Sequence, residues 1–161
     1  MARETSVVTP QRFSEGFSYD GYLAQIKVNR ARFDGFYAGC RIRSEDAASF
    51  RELADRPNGP AKMLVLGEDW CGDVVRGMPV LARVAEAGGM ELRIFPRDLN
   101  HDIMNEFLNR GEFMSIPVAV FYTRDYRYIC HWIERPEMAS RETAEIEAAI
   151  RAEDPEISDQ E

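Results

Sequence analysis

The chain has no internal repeat, no low-complexity tract and no apolar run long enough to cross a bilayer. Met1-Ala2-Arg3-Glu4-Thr5 lacks the apolar core of a signal peptide, so a soluble cytoplasmic protein with no membrane partner is expected. Its 20 lysines and arginines face 28 acids, giving a net charge of -8, and they form no cluster. Phosphate binding needs a basic footprint, so this balance argues against nucleic acid, and the acidity reads as solubility. The only two histidines, His101 and His131, are isolated and read as structural or surface residues; no Cys/His spacing marks a metal site. Three cysteines, Cys40, Cys71 and Cys130, suit a reducing compartment better than a disulfide framework.

What is present is a chain of 161 residues, 45% hydrophobic and 30% charged, which is one globular domain with a core that needs no staples. Met63-Leu64-Val65-Leu66, bounded by Pro60 and by Gly67-Glu68-Asp69, reads as a buried strand. From Val74 the period becomes helical: Val74, Val75, Met78, Leu81, Val84 and Ala85 share a face, and Gly88-Gly89 is the stop. Residues 91–95 form a second strand, making a right-handed parallel crossover. Asn100 caps a short helix carrying Ile103, Met104, Phe107 and Leu108. Residues 118–122 and 126–133, joined by Thr123-Arg124-Asp125, form a hairpin, and a last helix runs from about Ser140 to Ala152.

Ahead of the first strand, 20–38 reads as one amphipathic helix with Tyr22, Leu23, Ile26, Phe33 and Tyr37 as apolar contacts. A second helix over 44–55 carries Ala47, Phe50 and Leu53, and Arg56-Pro57-Asn58-Gly59-Pro60 ends it. Residues before about Ser18 are expected to be loosely held. The organisation is thus a helical extension over 1–60, packed on a domain over 61–152, with an acidic, disordered tail over 153–161.

Trp70-Cys71-Gly72-Asp73-Val74 falls where the first strand turns into the following helix. Unpaired N–H groups and the positive end of the dipole there favour a thiolate over a thiol, whereas the Asp73 carboxylate disfavours a second negative charge. Asp69 and Asp73 are candidates for tuning the thiol, or solvated capping residues. Trp70 beside the cysteine suits an exposed docking surface.

Trp70-Cys71-Gly72 after an apolar strand, Pro79 eight positions beyond Cys71, and Ile116-Pro117 leading into a strand together resemble the thioredoxin superfamily. The resemblance covers about Lys62 to Ile133. The motif Glu68-Asp69-Trp70-Cys71-Gly72-Asp73 with a helical extension is similar to a bacterial branch in which Trp-Cys-Gly-Asp replaces Trp-Cys-Gly-Pro. It implies an α/β, thioredoxin-like three-layer fold, a central mixed sheet flanked by helices. It also implies that Pro79 kinks the active-site helix and that Pro117 is a cis-proline facing the sulfur. The site it implies has Cys71 as nucleophile, with Trp70, Gly72, Ile116 and Pro117 holding substrate.

Two departures matter. Val74 stands where a dithiol thioredoxin has its resolving cysteine, and Val65 where thioredoxins carry a buried acid. A lone thiolate forms a mixed disulfide but needs another thiol for release: glutathione or a similar small thiol, a partner protein, or Cys40 or Cys130. Cys130, on the last strand, is expected to be a buried structural cysteine, and Cys40 structural as well. Two functions remain open: monothiol thiol-disulfide exchange on a protein or small-molecule disulfide, with no resident cofactor, or a redox-silent binding or adaptor module. Oligomeric state is not legible.

Overall fold

The computed structural model describes residues 6–154, and the portion of the expected acidic tail from residue 155 onward lies outside them. The extension contributes α1 (Pro10–Ser14), α2 (Tyr19–Gln25), α3 (Arg30–Gly39) and α4 (Ser44–Asp55). Of the segment before Ser18, expected to be loosely held, residues 6–17 are described and are tied down; residues 1–5 lie outside the described residues. Thr9 caps α1 through its hydroxyl, Pro10 stands at the first helical position, and Val8 and Phe13 are buried in the common core. The Ser6 hydroxyl reaches the Glu106 carboxylate at 2.9 Å, and Phe17 pairs with Ile94 at the sheet edge. Hydrophobic burial of Val8 and Phe13 overrides the polar look of this stretch.

The single helix expected over 20–38 is broken. Ile26 is extended and Asn29 is left-handed at φ 62, so α2 and α3 meet at a turn. The backbone N–H groups of that turn find partners outside the helix, as described below. In α4 the buried residue is Ala54, whereas Leu53, expected on the apolar face, is exposed.

β1 (Lys62–Gly67), α5 (Gly72–Gly88) and β2 (Glu91–Pro96) form the parallel crossover, followed by a 3-10 turn (Arg97–Leu99) and the one-turn α6 (His101–Met104). β3 (Val118–Tyr122) and β4 (Tyr128–Ile133) complete a mixed sheet of order β2-β1-β3-β4, flanked by helices. Met63 to Leu66 are fully buried because β1 is central and covered on both faces, which explains its unbroken apolar run. α5 lays Val74, Val75, Met78, Ala82 and Ala85 into the core and ends on left-handed Gly89. It lies so close to β1 that a Cβ on Gly67 would stand 2.8 Å from Val74 and Met78 side-chain atoms.

The hairpin register shifts between Phe121 and Tyr122, and Tyr126, expected in the strand, is left-handed in the turn. The last helix, α7 (Glu137–Glu153), begins three residues ahead of the expected Ser140 and buries no residue.

Candidate functional site around Cys71

Four residues, Glu68 to Cys71, connect central β1 to α5. Cys71 is the N-cap residue of α5, extended at φ -81 and ψ 122, and its side chain makes no capping bond. Its N–H donates to the Glu68 carbonyl at 3.2 Å, and its own carbonyl accepts from Val75 N–H at 2.9 Å. The half-buried sulfur lies 3.8 Å from the Ile116 carbonyl oxygen. Two influences therefore meet at this atom. The helix N-terminus favours a negative sulfur, and the carbonyl accepts from a protonated one.

The loop is pinned from both sides. The Glu68 carboxylate accepts the Asp98 N–H at 2.8 Å, tying β1 to the turn after β2. Desolvation holds the Glu68 carboxyl above the ordinary carboxylate value, against the pull of that bond. The Asp69 carboxylate accepts the N–H groups of Lys27 and Val28 at 2.7 and 3.2 Å, and the Asp69 carbonyl accepts from the Asn29 side-chain amide at 2.8 Å. Buried Tyr22 of α2 lines a pocket together with Glu68 and Asp69 of this loop. Desolvation pushes its hydroxyl above the usual tyrosine value, and the charges of Glu68, Asp69 and Cys71 push the same way.

Trp70 is 54% exposed, and the Arg97 guanidinium lies 5.2 Å from its ring centre. Arg97 also donates to the Met114 carbonyl at 3.1 Å, so it joins the tryptophan to the loop that leads to Ile116 and Pro117. That Ile116-Pro117 peptide is cis, and both residues are buried. Gly72 opens α5 with nothing within 4 Å of where its Cβ would be. Asp73 is bound to Arg135 at 3.0 Å, and a groove of about 520 Å³ runs from that pair between α5, Trp132 of β4 and α7. Both carboxylates singled out for tuning the thiol are thus engaged elsewhere, Asp69 with backbone donors and Asp73 with a cation. Arg97, Asn29 and Arg135 carried no motif, and Glu68 stood in one with no role assigned to it; of the three outside the motif, Asn29 alone left a trace, as a turn-forming residue inside an otherwise helical run.

Val65 and Val74 are fully buried, with Val74 packed on Gly67 of β1. Pro79 is buried within α5. All three cysteines are free. Cys130 is exposed, not buried, because β4 is an edge strand. Although the residue is exposed, partial desolvation pushes its thiol above the ordinary cysteine value, the direction of a weaker nucleophile at neutral pH. Cys40 is half-buried where α3 ends, with its N–H on the Phe36 carbonyl. His131 is not isolated: its Nδ1 lies 2.7 Å from the Tyr128 hydroxyl, and its ring meets Phe107 edge-on. His101 is exposed at the start of α6. Among the described residues no three metal-ligating side chains converge, and no helix is long and apolar enough to cross a membrane.

A family model described as thioredoxin matches residues 16–155. A protein of unknown function from Pseudomonas aeruginosa has a similar solved structure, with a TM-score of 0.67 at 18% identity, over 91% of this chain and 89% of that one. An HIV epitope scaffold superposes with a TM-score of 0.66 at 18% identity, over 84% and 81%. Thioredoxin from Fasciola hepatica aligns over 60% of this chain and 89% of its own, with a TM-score of 0.40 at 21% identity. No curated protein matches the chain.

Proposed function

The chain belongs to the thioredoxin family, and we propose that it is a monothiol member working through Cys71 by thiol-disulfide exchange. The observation that carries this reading is the sulfur's position: a half-buried thiol at the N-terminus of α5, facing the Ile116 carbonyl and flanked by exposed Trp70. Cys71 attacks one sulfur of a protein or small-molecule disulfide as its thiolate. A Cys71-substrate disulfide forms, and the other sulfur leaves as a thiolate that takes up a proton. An external thiol, glutathione or one like it, then attacks the substrate sulfur as its thiolate. It forms a new disulfide with the substrate and returns Cys71 to the thiolate. The exchange needs no resident cofactor and suits a reducing cytoplasmic setting.

Trp70, Gly72 and the Ile116-Pro117 segment hold the substrate in this reading. The uncovered start of α5 at Gly72 leaves room for an extended chain to approach. Buried Val74 and Val65 support a one-thiol route, since neither a second thiol nor a proton-handling acid stands in the core beside it. Thiol alkylation followed against pH, and mass measurement after exposure to oxidised glutathione, test it together. Cys71 should alkylate faster than a free cysteine at neutral pH and gain one glutathione, and Cys71→Ser should abolish exchange. A Cys71→Ser protein with full exchange activity would sink the reading.

A second reading, a redox-silent binding module, draws support from the Ile116 carbonyl, which stabilises the protonated sulfur. It expects an unreactive Cys71 and a partner captured equally well by Cys71→Ser.

A further inference from the structure

We infer that the helical extension positions the Cys71 thiol, with Asp69 acting as the anchor of a clamp and Asn29 as its partner. The inference deepens the monothiol reading and rests on it. Asn29 stands at the N-cap of α3, where an asparagine side chain ordinarily accepts from the first free N–H groups of its own helix. Here the side chain makes no such bond. Its amide donates instead to the Asp69 carbonyl at 2.8 Å, across 40 residues of sequence, and its backbone adopts φ 62 to reach it. Left-handed backbone in a residue other than glycine is uncommon, and asparagine tolerates it better than most.

The same turn presents the Lys27 and Val28 N–H groups to the Asp69 carboxylate at 2.7 and 3.2 Å. Three bonds therefore converge on one residue of the loop, two positions before the thiol. Hydrogen bonds to an ionised acceptor are the stronger kind, and these take the place of capping bonds within the extension. Glu68, bonded to Asp98 N–H, closes the clamp from the other side. The peptide that carries Trp70 and Cys71 is thus held against two separate parts of the molecule. The sulfur is fixed at the mouth of α5, where the helix N-terminus acts on it, and that field falls off within one turn.

Positioning and direct electrostatics predict opposite signs. If Asp69 acted through its charge alone, removing the charge would favour the thiolate and speed alkylation at neutral pH, and neutral Asn29 would be silent. If it acts through the clamp, Asn29→Gly and Asp69→Ala, which removes the carboxylate acceptor of the Lys27 and Val28 N–H groups, both displace the thiol from the helix terminus and slow the reaction. Glycine fits the left-handed turn without strain, so Asn29→Gly removes the amide and leaves the backbone its conformation. Asn29→Asp, which also tolerates the turn but has lost the N–H donor, is the second probe.

The full chain with Cys40→Ser and Cys130→Ser leaves Cys71 as the one thiol to titrate with iodoacetamide from acid to alkaline pH. The expected result is a rate-pH profile displaced to higher pH in all three variants, with alkylation at neutral pH slowed about threefold for Asn29→Gly. An unchanged profile in Asn29→Gly, or faster alkylation in Asp69→Ala, would overturn the clamp while leaving a fast parental Cys71 as support for the monothiol reading. A parental Cys71 no faster than a free cysteine would remove both.

Discussion

The two flanks of α5 are held in very different ways. On the extension side α3 and α4 pack along it, Phe33 is fully buried against Tyr22 with ring centres 6.1 Å apart, and the Tyr37 hydroxyl is bonded to the Glu86 carboxylate. Arg83 covers the Tyr37 ring at 3.8 Å and donates to the Tyr37 carbonyl at 3.1 Å. On the other flank α7 buries no residue, leaves Met138, Ile146 and Ile150 exposed, and its approach is tied to α5 by the Arg135–Asp73 pair. Val8, Phe13, Tyr22, Leu23, Phe33 and Ala54 share the common core and α7 contributes nothing to it, so the extension belongs to the folding unit that carries the thiol.

The largest test of that difference is a pair of truncations in the two flanks. Phe33→Ala removes a fully buried ring and should cost about 3–5 kcal/mol of unfolding free energy in a urea titration. Ile146→Ala, on exposed α7, should fall within about 0.5 kcal/mol of the parent. Equal losses at the two positions would erase the distinction.

A smaller effect belongs to the strap by which α1 reaches α6. The Arg12 guanidinium holds Asp102 below the usual carboxylate value through bonds of 3.0 Å to each of its oxygens. For an acid whose folded value is depressed, the stabilisation is complete above the unfolded value, ordinarily 3.8, and is lost as pH falls through the lower folded one. Asp102 is 45% exposed, so solvent screening limits the pair to about 1 kcal/mol or less. Asp102→Asn should therefore lower the urea midpoint at neutral pH and match the parent once the medium is acid enough to protonate Asp102 in both states. A gap that persisted there would mean that shape, not charge, links α1 to α6.

The sequence-to-structure relation divides along the same line. β1, α5, β2 and the hairpin were legible because burial on both faces writes unbroken apolar runs and α5 writes a helical stripe. The position of Cys71 at the start of α5 followed from where those two patterns meet. The extension was harder to read. Phe13 is one buried side chain in a polar stretch, and nothing local announces that Val8 and Phe13 reach the common core. The break at Asn29 was hidden because its bonds go to Asp69, 40 residues away, and propensity reports only on neighbours. The exposure of Cys130 depends on strand order, since an edge strand and an inner one look alike as apolar runs.

The smallest expected effect probes the loosely held flank at the thiol itself. Arg135→Ala removes the cation that neutralises Asp73, whose carboxylate then stands in the first turn of α5 two residues from Cys71 with its charge uncompensated. An added negative potential disfavours the thiolate, so alkylation at neutral pH should slow. The pair is partly open to solvent, with side chains 42% and 25% exposed, so the loss should be less than about twofold and should shrink as salt is added. The Asn29→Gly effect should survive the same salt, because bond geometry rather than long-range charge maintains it. If Arg135→Ala slowed Cys71 as strongly as Asn29→Gly, and salt left both unaltered, the two flanks would position the thiol equally and the sparse packing of α7 would carry no functional meaning.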